Sequence, residues 1–283
     1  MPTAFLFPGQ GSQRLGMRAA LAAHPAARDV FDAVDDALER PLSRLMDDGP
    51  EDELTLTRNA QPALMAVSIA AVRALETELG RPLAAVTDLV AGHSLGEYTA
   101  LTAAATFDVA TAARLLDLRG AAMQAAVPVG DGAMAALMGL DLPRVAALLA
   151  AVDGVVDIAN DNADGQVVVS GERAAVEAAV AAAREAGARR AAVLPVSAPF
   201  HCRLMRPAAE RMAEALGEVR LAAPTIPVVA NVTAEPLTEV EAIRAALIDQ
   251  VCGRVRWRET MAALATDGVD RVVEAGAGKV LAG

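Results

Sequence analysis

Along the chain, short unbroken apolar runs alternate with longer stretches in which apolar residues recur every three or four positions, the pattern of a largely parallel sheet covered by helices. Thr3-Ala4-Phe5-Leu6-Phe7 is the first such run and reads as a buried strand. It is closed by the turn formers Pro8-Gly9-Gln10-Gly11-Ser12-Gln13, after which Met17 to Ala23 begins a helical pattern. Leu64, Val67, Ala71 and Leu75 form one stripe and predict a helix over 63–79, with Pro62 close to its first turn and Gly80 just past its end. Val86 to Ala91 reads as a second strand, and Tyr98 to Ala105 and Val109 to Ala126 as the next helices.

From about Gly132 the rhythm changes. Ala133 to Gly139, Val155 to Ile158, Val167 to Ser170 and Ala191 to Pro195 predict short strands, with helices at Pro143 to Ala151 and Arg173 to Ala186 between them. Strand, helix, two strands, helix, strand is the split βαβ order of a ferredoxin-like unit, inserted here into a larger α/β domain. Asn160-Asp161-Asn162-Ala163-Asp164-Gly165 supplies the turn formers of the central hairpin, its asparagines serving as readily in a turn as in a site. Beyond it come a helix Arg206 to Leu216, a strand Ile226 to Asn231, a helix Glu239 to Val251, another ending at Ala265, and a last strand Val269 to Glu274. The expected organisation is a large domain of residues 1–130 and 197–283 interrupted by a small one at 131–196.

One heptapeptide dominates the candidate chemistry: Gly92-His93-Ser94-Leu95-Gly96-Glu97-Tyr98, where a serine has glycines two positions before and two after. A strand turning sharply into a helix holds such a serine in strained backbone, and Cβ atoms at the flanking positions would collide, so the spacing reads as a nucleophile elbow. A serine hydroxyl needs a base. His24 stands beside Pro25 in a polar stretch and His93 is packed within the elbow, which leaves His201, in the loop Pro195 to Cys202, as the base. No Asp or Glu marks a strand end between Ser94 and His201, where a triad in the order Ser, Asp, His would require one, so the group that orients the histidine stays open.

Arg119 shares a largely apolar face with Leu116, Met123 and Ala126. A buried guanidinium is costly unless paired, and its planar fork matches a carboxylate, so its partner is either an acidic side chain or a substrate. Arg114 and Asp117 read as an ordinary surface pair. Gln10 stands where a loop reaches the carboxyl end of the first strand, and Gln61 at a helix entrance. A dinucleotide fingerprint fails there because its third glycine would fall at Arg14.

Composition narrows the classes further. Of 283 residues, 54% are hydrophobic, enough for a substantial core. A net charge of −11 argues against nucleic acid as partner, and no apolar stretch is long enough to span a membrane. Cys202 and Cys252 are too few for a disulfide framework and lie in no metal-ligand spacing, and the start of the chain has no signal-peptide pattern, so a cytoplasmic protein with free thiols is expected. Arg254, Arg256 and Arg258 form the densest basic cluster, read as solvated surface or as a patch for an acidic partner.

These motifs, taken with NAQPAL, LLDLRGAAMQ, NDNADGQVVVSG, PVSAPFHC, QVCGRVRW and GAGKV in the same order, resemble the malonyl-CoA:acyl-carrier-protein transacylases of fatty acid synthesis along essentially the whole chain. The resemblance implies an α/β-hydrolase-like large domain with an inserted ferredoxin-like small domain, and a ping-pong reaction through an acyl-serine that needs no cofactor. It carries the nucleophile to Ser94, the base to His201, and to Gln250 the position whose oxygen orients the histidine. Gln10 and the Leu95 N–H then match the oxyanion hole, and Arg119 the residue that grips the malonyl carboxylate. Phe200 resembles the bulky residue of malonyl-selecting members; Gln61 would hold Gln10, and Asn162 and His93 would line the cleft. The implied partners are coenzyme A thioester and acyl carrier protein, the implied state a monomer. Two departures stand out: Ala277 occupies a place usually held by proline, and the chain ends at Gly283, short of a closing helical segment. The competing readings are a stand-alone acyltransferase for a polyketide synthase or malonate decarboxylase, a serine hydrolase or thioesterase, and a non-catalytic docking module.

Overall fold

The computed structural model describes residues 2–281. In chain order its strands are β1 (Thr3–Phe7), β2 (Leu89–Gly92), β3 (Gly132–Met138), β4 (Val156–Ala163), β5 (Gln166–Glu172), β6 (Arg190–Val193), β7 (Val228–Val229), β8 (Pro236–Leu237) and β9 (Arg271–Glu274). They form two sheets, ordered β8-β7-β2-β1-β9 and β4-β5-β3-β6. In the first, β7, β2, β1 and β9 are parallel and only β8 runs antiparallel. This is the mixed, mostly parallel sheet of an α/β protein.

β1 shows why the run 3–7 is unbroken. Phe5 and Phe7 join a core with Leu64, Tyr98 and Leu116 on one face, while Ala4 and Leu6 pack with Trp257 and Leu264 on the other. A strand buried on both faces has no polar side to alternate with. The second sheet is antiparallel throughout. Helices Leu142–Leu149 and Arg173–Glu185 cover one face through Val145 and Val176. Its other face presents Met134 and Val168 toward Leu194, Val196 and Phe200. No helix among the described residues is long and apolar enough to cross a membrane.

Four expectations are corrected. Residues 17–23 form successive turns, and the first helix is Pro25–Leu38, where Pro25 occupies the first turn. Pro62 is not at a helix start: the helix runs Thr57–Leu79 and encloses it. The carbonyl of Arg58, four residues back, loses its helical donor there, and the Arg40 guanidinium donates to it at 3.3 Å instead. Asn160, Asp161 and Asn162 belong to β4; the turn is Asp164-Gly165 alone, with Gly165 at φ +69°, the Asp-Gly pair preferred in two-residue hairpins. Finally, β7 spans Val228–Val229 rather than 226–231.

The two sheets are joined by more than chain connections. Asp161 N–H donates to Val255 O at 2.9 Å and Val255 N–H to Ala159 O at 2.8 Å, so a segment of the large unit pairs with β4. Arg258 donates to the Asp161 carboxylate at 2.9 Å, with Asp161 only 1% exposed. Arg254 and Arg256 both pair with Glu259. The basic cluster is therefore neither a free patch nor fully solvated: Arg254 and Arg256 share the Glu259 carboxylate and Arg258 has Asp161.

Candidate active site

The elbow forms as its glycines require. Ser94 sits between β2 and the helix Leu95–Ala103 at φ 54°, ψ −112°, a strained conformation for a residue with a side chain. A Cβ on Gly92 would lie 1.8 Å from Gly96 O, and one on Gly96 2.3 Å from Phe7 O, so neither position admits any other residue. Asn231, just beyond β7, clamps the strained turn. Its Oδ1 accepts the Ser94 N–H at 2.7 Å and its Nδ2 donates to Gly92 O at 2.7 Å. No motif in the sequence marks Asn231 as part of the site, although an asparagine at the carboxyl end of an apolar run was the available signal.

His201 Nε2 lies 2.7 Å from Ser94 Oγ, and Nδ1 lies 2.9 Å from the backbone oxygen of Gln250. The second contact fixes the tautomer: Nδ1–H donates to the carbonyl, leaving the Nε2 lone pair for the serine proton. The oxygen at position 250 that orients the histidine is thus the main chain's, and no acid is needed at that ring nitrogen. Burial above all, then the Arg119 charge, pushes the His201 pKa down to about 3, so the imidazole is neutral around neutral pH and able to accept a proton.

Arg119 is 1% exposed. Its Nη1 donates to Gln61 Oε1 at 2.8 Å, and its Nη2 to Gln250 Oε1 at 2.8 Å and to Ser94 Oγ at 3.2 Å. Because the guanidinium can only donate, the single Ser94 proton is directed at His201. The Arg119 Nε is buried with no hydrogen-bond partner, and the guanidinium carbon stands 5.6 Å from the Tyr98 ring centre. No ion pair joins Arg119 to a carboxylate among the described residues. Gln61 accordingly holds Arg119, not Gln10; Gln10 donates to Thr57 Oγ1 at 3.4 Å.

Gln250, fully buried, is shared by every part of the site. Besides receiving Arg119 on Oε1, it donates through Nε2 to Ser94 O at 2.9 Å and to Glu97 Oε2 at 2.8 Å. Glu97 Oε2 also accepts the Asn231 N–H at 2.9 Å. Desolvation, against the pull of these donors and Arg119, raises the Glu97 carboxyl pKa to about 7. An acidic residue inside an apolar elbow helix was visible in the sequence, but its partners were not.

Ser94, His201, Arg119, Gln10, Phe200 and Asn162 all line one cleft of about 470 Å³ between the two sheets, together with Gln61, His93 and Leu95. Asn162 Oδ1 lies 2.9 Å from His93 Nε2, and the His93 ring packs 5.4 Å from that of Trp257. His93 therefore braces the wall and does not reach the serine. As first residue of its helix, Leu95 presents an N–H that has no acceptor within the helix. Two grooves of about 690 and 710 Å³ elsewhere on the surface are lined by no serine nucleophile or histidine base.

An elbow serine, a neutral histidine on its hydroxyl and the free Leu95 N–H beside it define a serine acyl-transfer centre. The chain matches the acyl transferase domain family over residues 4–282, and it belongs to that family. It is 46% identical over 283 residues to the malonyl CoA-acyl carrier protein transacylase of Escherichia coli K12, spanning 99% of this chain and 90% of that protein. The crystal structure of an acyl-carrier-protein S-malonyltransferase from Bartonella henselae superposes with a TM-score of 0.97 at 53% identity, covering 100% of this chain and 90% of that one. A malonyl-transacylase solved in complex with its type II PKS acyl-carrier protein matches at TM-score 0.95 and 44% identity over 100% of this chain and 91% of that one.

Proposed function

We propose that the protein transfers a malonyl group from coenzyme A to the thiol of an acyl carrier protein, through a malonyl ester on Ser94. The observation that carries this reading is one oxygen with two neighbours: Ser94 Oγ lies 2.7 Å from the His201 base and 3.2 Å from the buried Arg119 guanidinium. His201 Nε2 takes the Ser94 proton as Oγ attacks the thioester carbonyl. The Leu95 N–H and Gln10 hold the resulting oxyanion, donors of this kind being worth about 3 kcal/mol each. Collapse expels the CoA thiolate, which receives the proton from His201. A second thiol then enters the emptied half of the cleft and gives its proton to His201. It attacks the ester and leaves as the malonyl thioester while the proton returns to Ser94 Oγ.

Arg119 selects the acyl group. A malonyl carboxylate pairs with the fork, including its unpartnered Nε edge, whereas a neutral acyl chain leaves a buried charge unmatched. Phe200 lines the same cleft, as do Asn162 and the His93 it bonds. The chemistry consists of proton transfer and hydrogen bonding at Ser94, His201, Arg119 and the oxyanion donors, and no cofactor enters any step.

The finer description of the fold is likewise proposed: an α/β-hydrolase-like domain of residues 1–130 and 197–283, interrupted by a ferredoxin-like domain at 131–196. The strand order β4-β5-β3-β6, antiparallel with both helices on one face, supports it. Intact-mass measurement after mixing with malonyl-CoA tests the function. We expect a malonyl adduct at Ser94 that carrier protein removes; failure to form it overturns the transferase reading, and its rapid loss to water alone favours a hydrolase. Arg119→Ala should lose malonyl transfer far more than acetyl transfer.

A further inference from the structure

The elbow helix carries one residue that the reaction above does not use. Glu97 is 2% exposed, lies three residues from the nucleophile, and spends its Oε2 on two amide donors, Asn231 N–H and Gln250 Nε2. Gln250 in turn faces Arg119 with its Oε1 at 2.8 Å. The amide dipole thus lies in line between a cation and a carboxylate, oxygen toward the guanidinium and nitrogen toward Glu97. A primary amide reversed in that slot would set its N–H₂ against Arg119 and its oxygen against Glu97, so the two charges together fix its orientation.

We propose that Glu97 is the resident counter-charge of Arg119, acting as a positioning residue through the Gln250 amide, and that its charge sets how strongly the site takes an acyl carboxylate. The inference rests on Arg119 as the carboxylate-binding group. A buried guanidinium without a charged partner is costly, and no carboxylate ion-pairs with Arg119 directly among the described residues. Placing the counter-charge one amide away stabilises the cation in the empty enzyme while leaving part of its fork for the substrate. A directly paired acid would occupy that fork.

The charge also has a defined pH window. Burial holds the Glu97 pKa near 7, the Arg119 charge opposing the rise. The other groups facing it do not titrate near that value. Arg119 comes from the helix Val109–Ala125; the phenol of neighbouring Tyr98 is pushed upward by burial; and His201, across Gln250, is neutral down to about 3. Asn231 offers only an amide. Above pH 7 Glu97 is ionised and partly cancels Arg119. Below it the carboxyl is neutral, and Arg119 presents its full charge to an incoming carboxylate.

The test follows the ratio of KM values for acetyl-CoA and malonyl-CoA in Ser94 acylation, a ratio in which changes at His201 and in the shared CoA moiety cancel. In the wild-type protein the preference for malonyl should rise several-fold as pH falls from 8.5 to 6. Glu97→Gln, which keeps an oxygen for both donors, should bind malonyl-CoA roughly tenfold more tightly than wild type at pH 8.5, the size expected of one unit charge acting across an amide. Its ratio should be flat across the same range. Equal losses for both substrates in E97Q, or an unchanged malonyl KM, overturn the proposal, and if E97Q does not fold, a flat wild-type ratio does so alone. Arg119→Ala separates the two readings. A malonyl preference that survives R119A refutes the role of Arg119 itself. A preference abolished by R119A but indifferent to Glu97 and to pH refutes only the counter-charge.

Discussion

The two sheets of this molecule face the same cleft and contribute to it in different currencies. The five-stranded unit and its loops supply the reacting and charged groups, Ser94, His201, Arg119, Gln250 and Glu97, each tied to at least one other by a hydrogen bond within 3.2 Å. The four-stranded unit supplies a wall, with apolar Met134 and Val168 and the asparagines of β4, of which Asn162 reaches the other side only through His93. Chemistry is placed where a parallel sheet buries both faces and backbone positions cannot drift; shape is placed on a sheet with one face left over. Substitutions at Ser94, His201 and the clamp of the elbow should therefore change rate, those at Arg119 and Glu97 the choice of acyl group, and those in the second unit access.

The largest separation is expected at Ser94. Ser94→Ala should abolish the acyl adduct in mass spectra and lower transfer by roughly 10⁴-fold or more with the fold unchanged by circular dichroism. Asn231→Ala comes next. Freed from its clamp, the elbow relaxes away from φ 54°, and acylation in rapid-quench experiments should slow by about 10- to 100-fold with little change in KM, since displacements near 1 Å cost that much. A slowing below about threefold would mean that the glycines alone hold the turn. Asn162→Ala, from the wall, should leave single-turnover acylation within about threefold and act on KM, because the His93 nitrogen can turn to water. In the turn between β4 and β5, Gly165→Ala should cost about 1 kcal/mol in denaturant unfolding for its φ of +69° and leave transfer untouched. A rate effect at Gly165 would break the division between the units.

What the sequence discloses follows the same line. The elbow is legible because part of its demand is local: a Cβ on Gly92 would strike Gly96 within the same turn, whereas Gly96 answers to Phe7 on the neighbouring strand. Arg119 is legible as an anomaly, a charge on an apolar face, whose partner the sequence left open between an acidic side chain and a substrate; within the protein it meets amides, with the Glu97 carboxylate behind one of them. Asn231 and Glu97 were hidden because their roles depend on β7 lying beside β2, an adjacency set by the whole sheet and by no spacing along the chain. The Met17 to Ala23 helix failed for the opposite reason: an apolar periodicity was present, yet the stretch forms successive turns, with the Gly16 amide before it bonded to Met46 O in the helix Leu42–Asp48. At Asn160 to Asn162 turn propensity lost to pairing, as β4 found partners on both edges, β5 and the Val255 segment.

That second edge has a mechanical meaning. With Val255 accepting from Asp161 N–H and donating to Ala159 O along one rim, and Arg258 riveted to a buried carboxylate beside them, the walls of the cleft are welded on that side like the spine of a book. The entrance is left to the other lining residues, among which Gln10 is exposed and Phe200 half-buried. An acyl chain presented on a long flexible arm suits such an entrance; a bulky rigid donor does not, and the molecule sorts its callers by reach before it sorts them by charge.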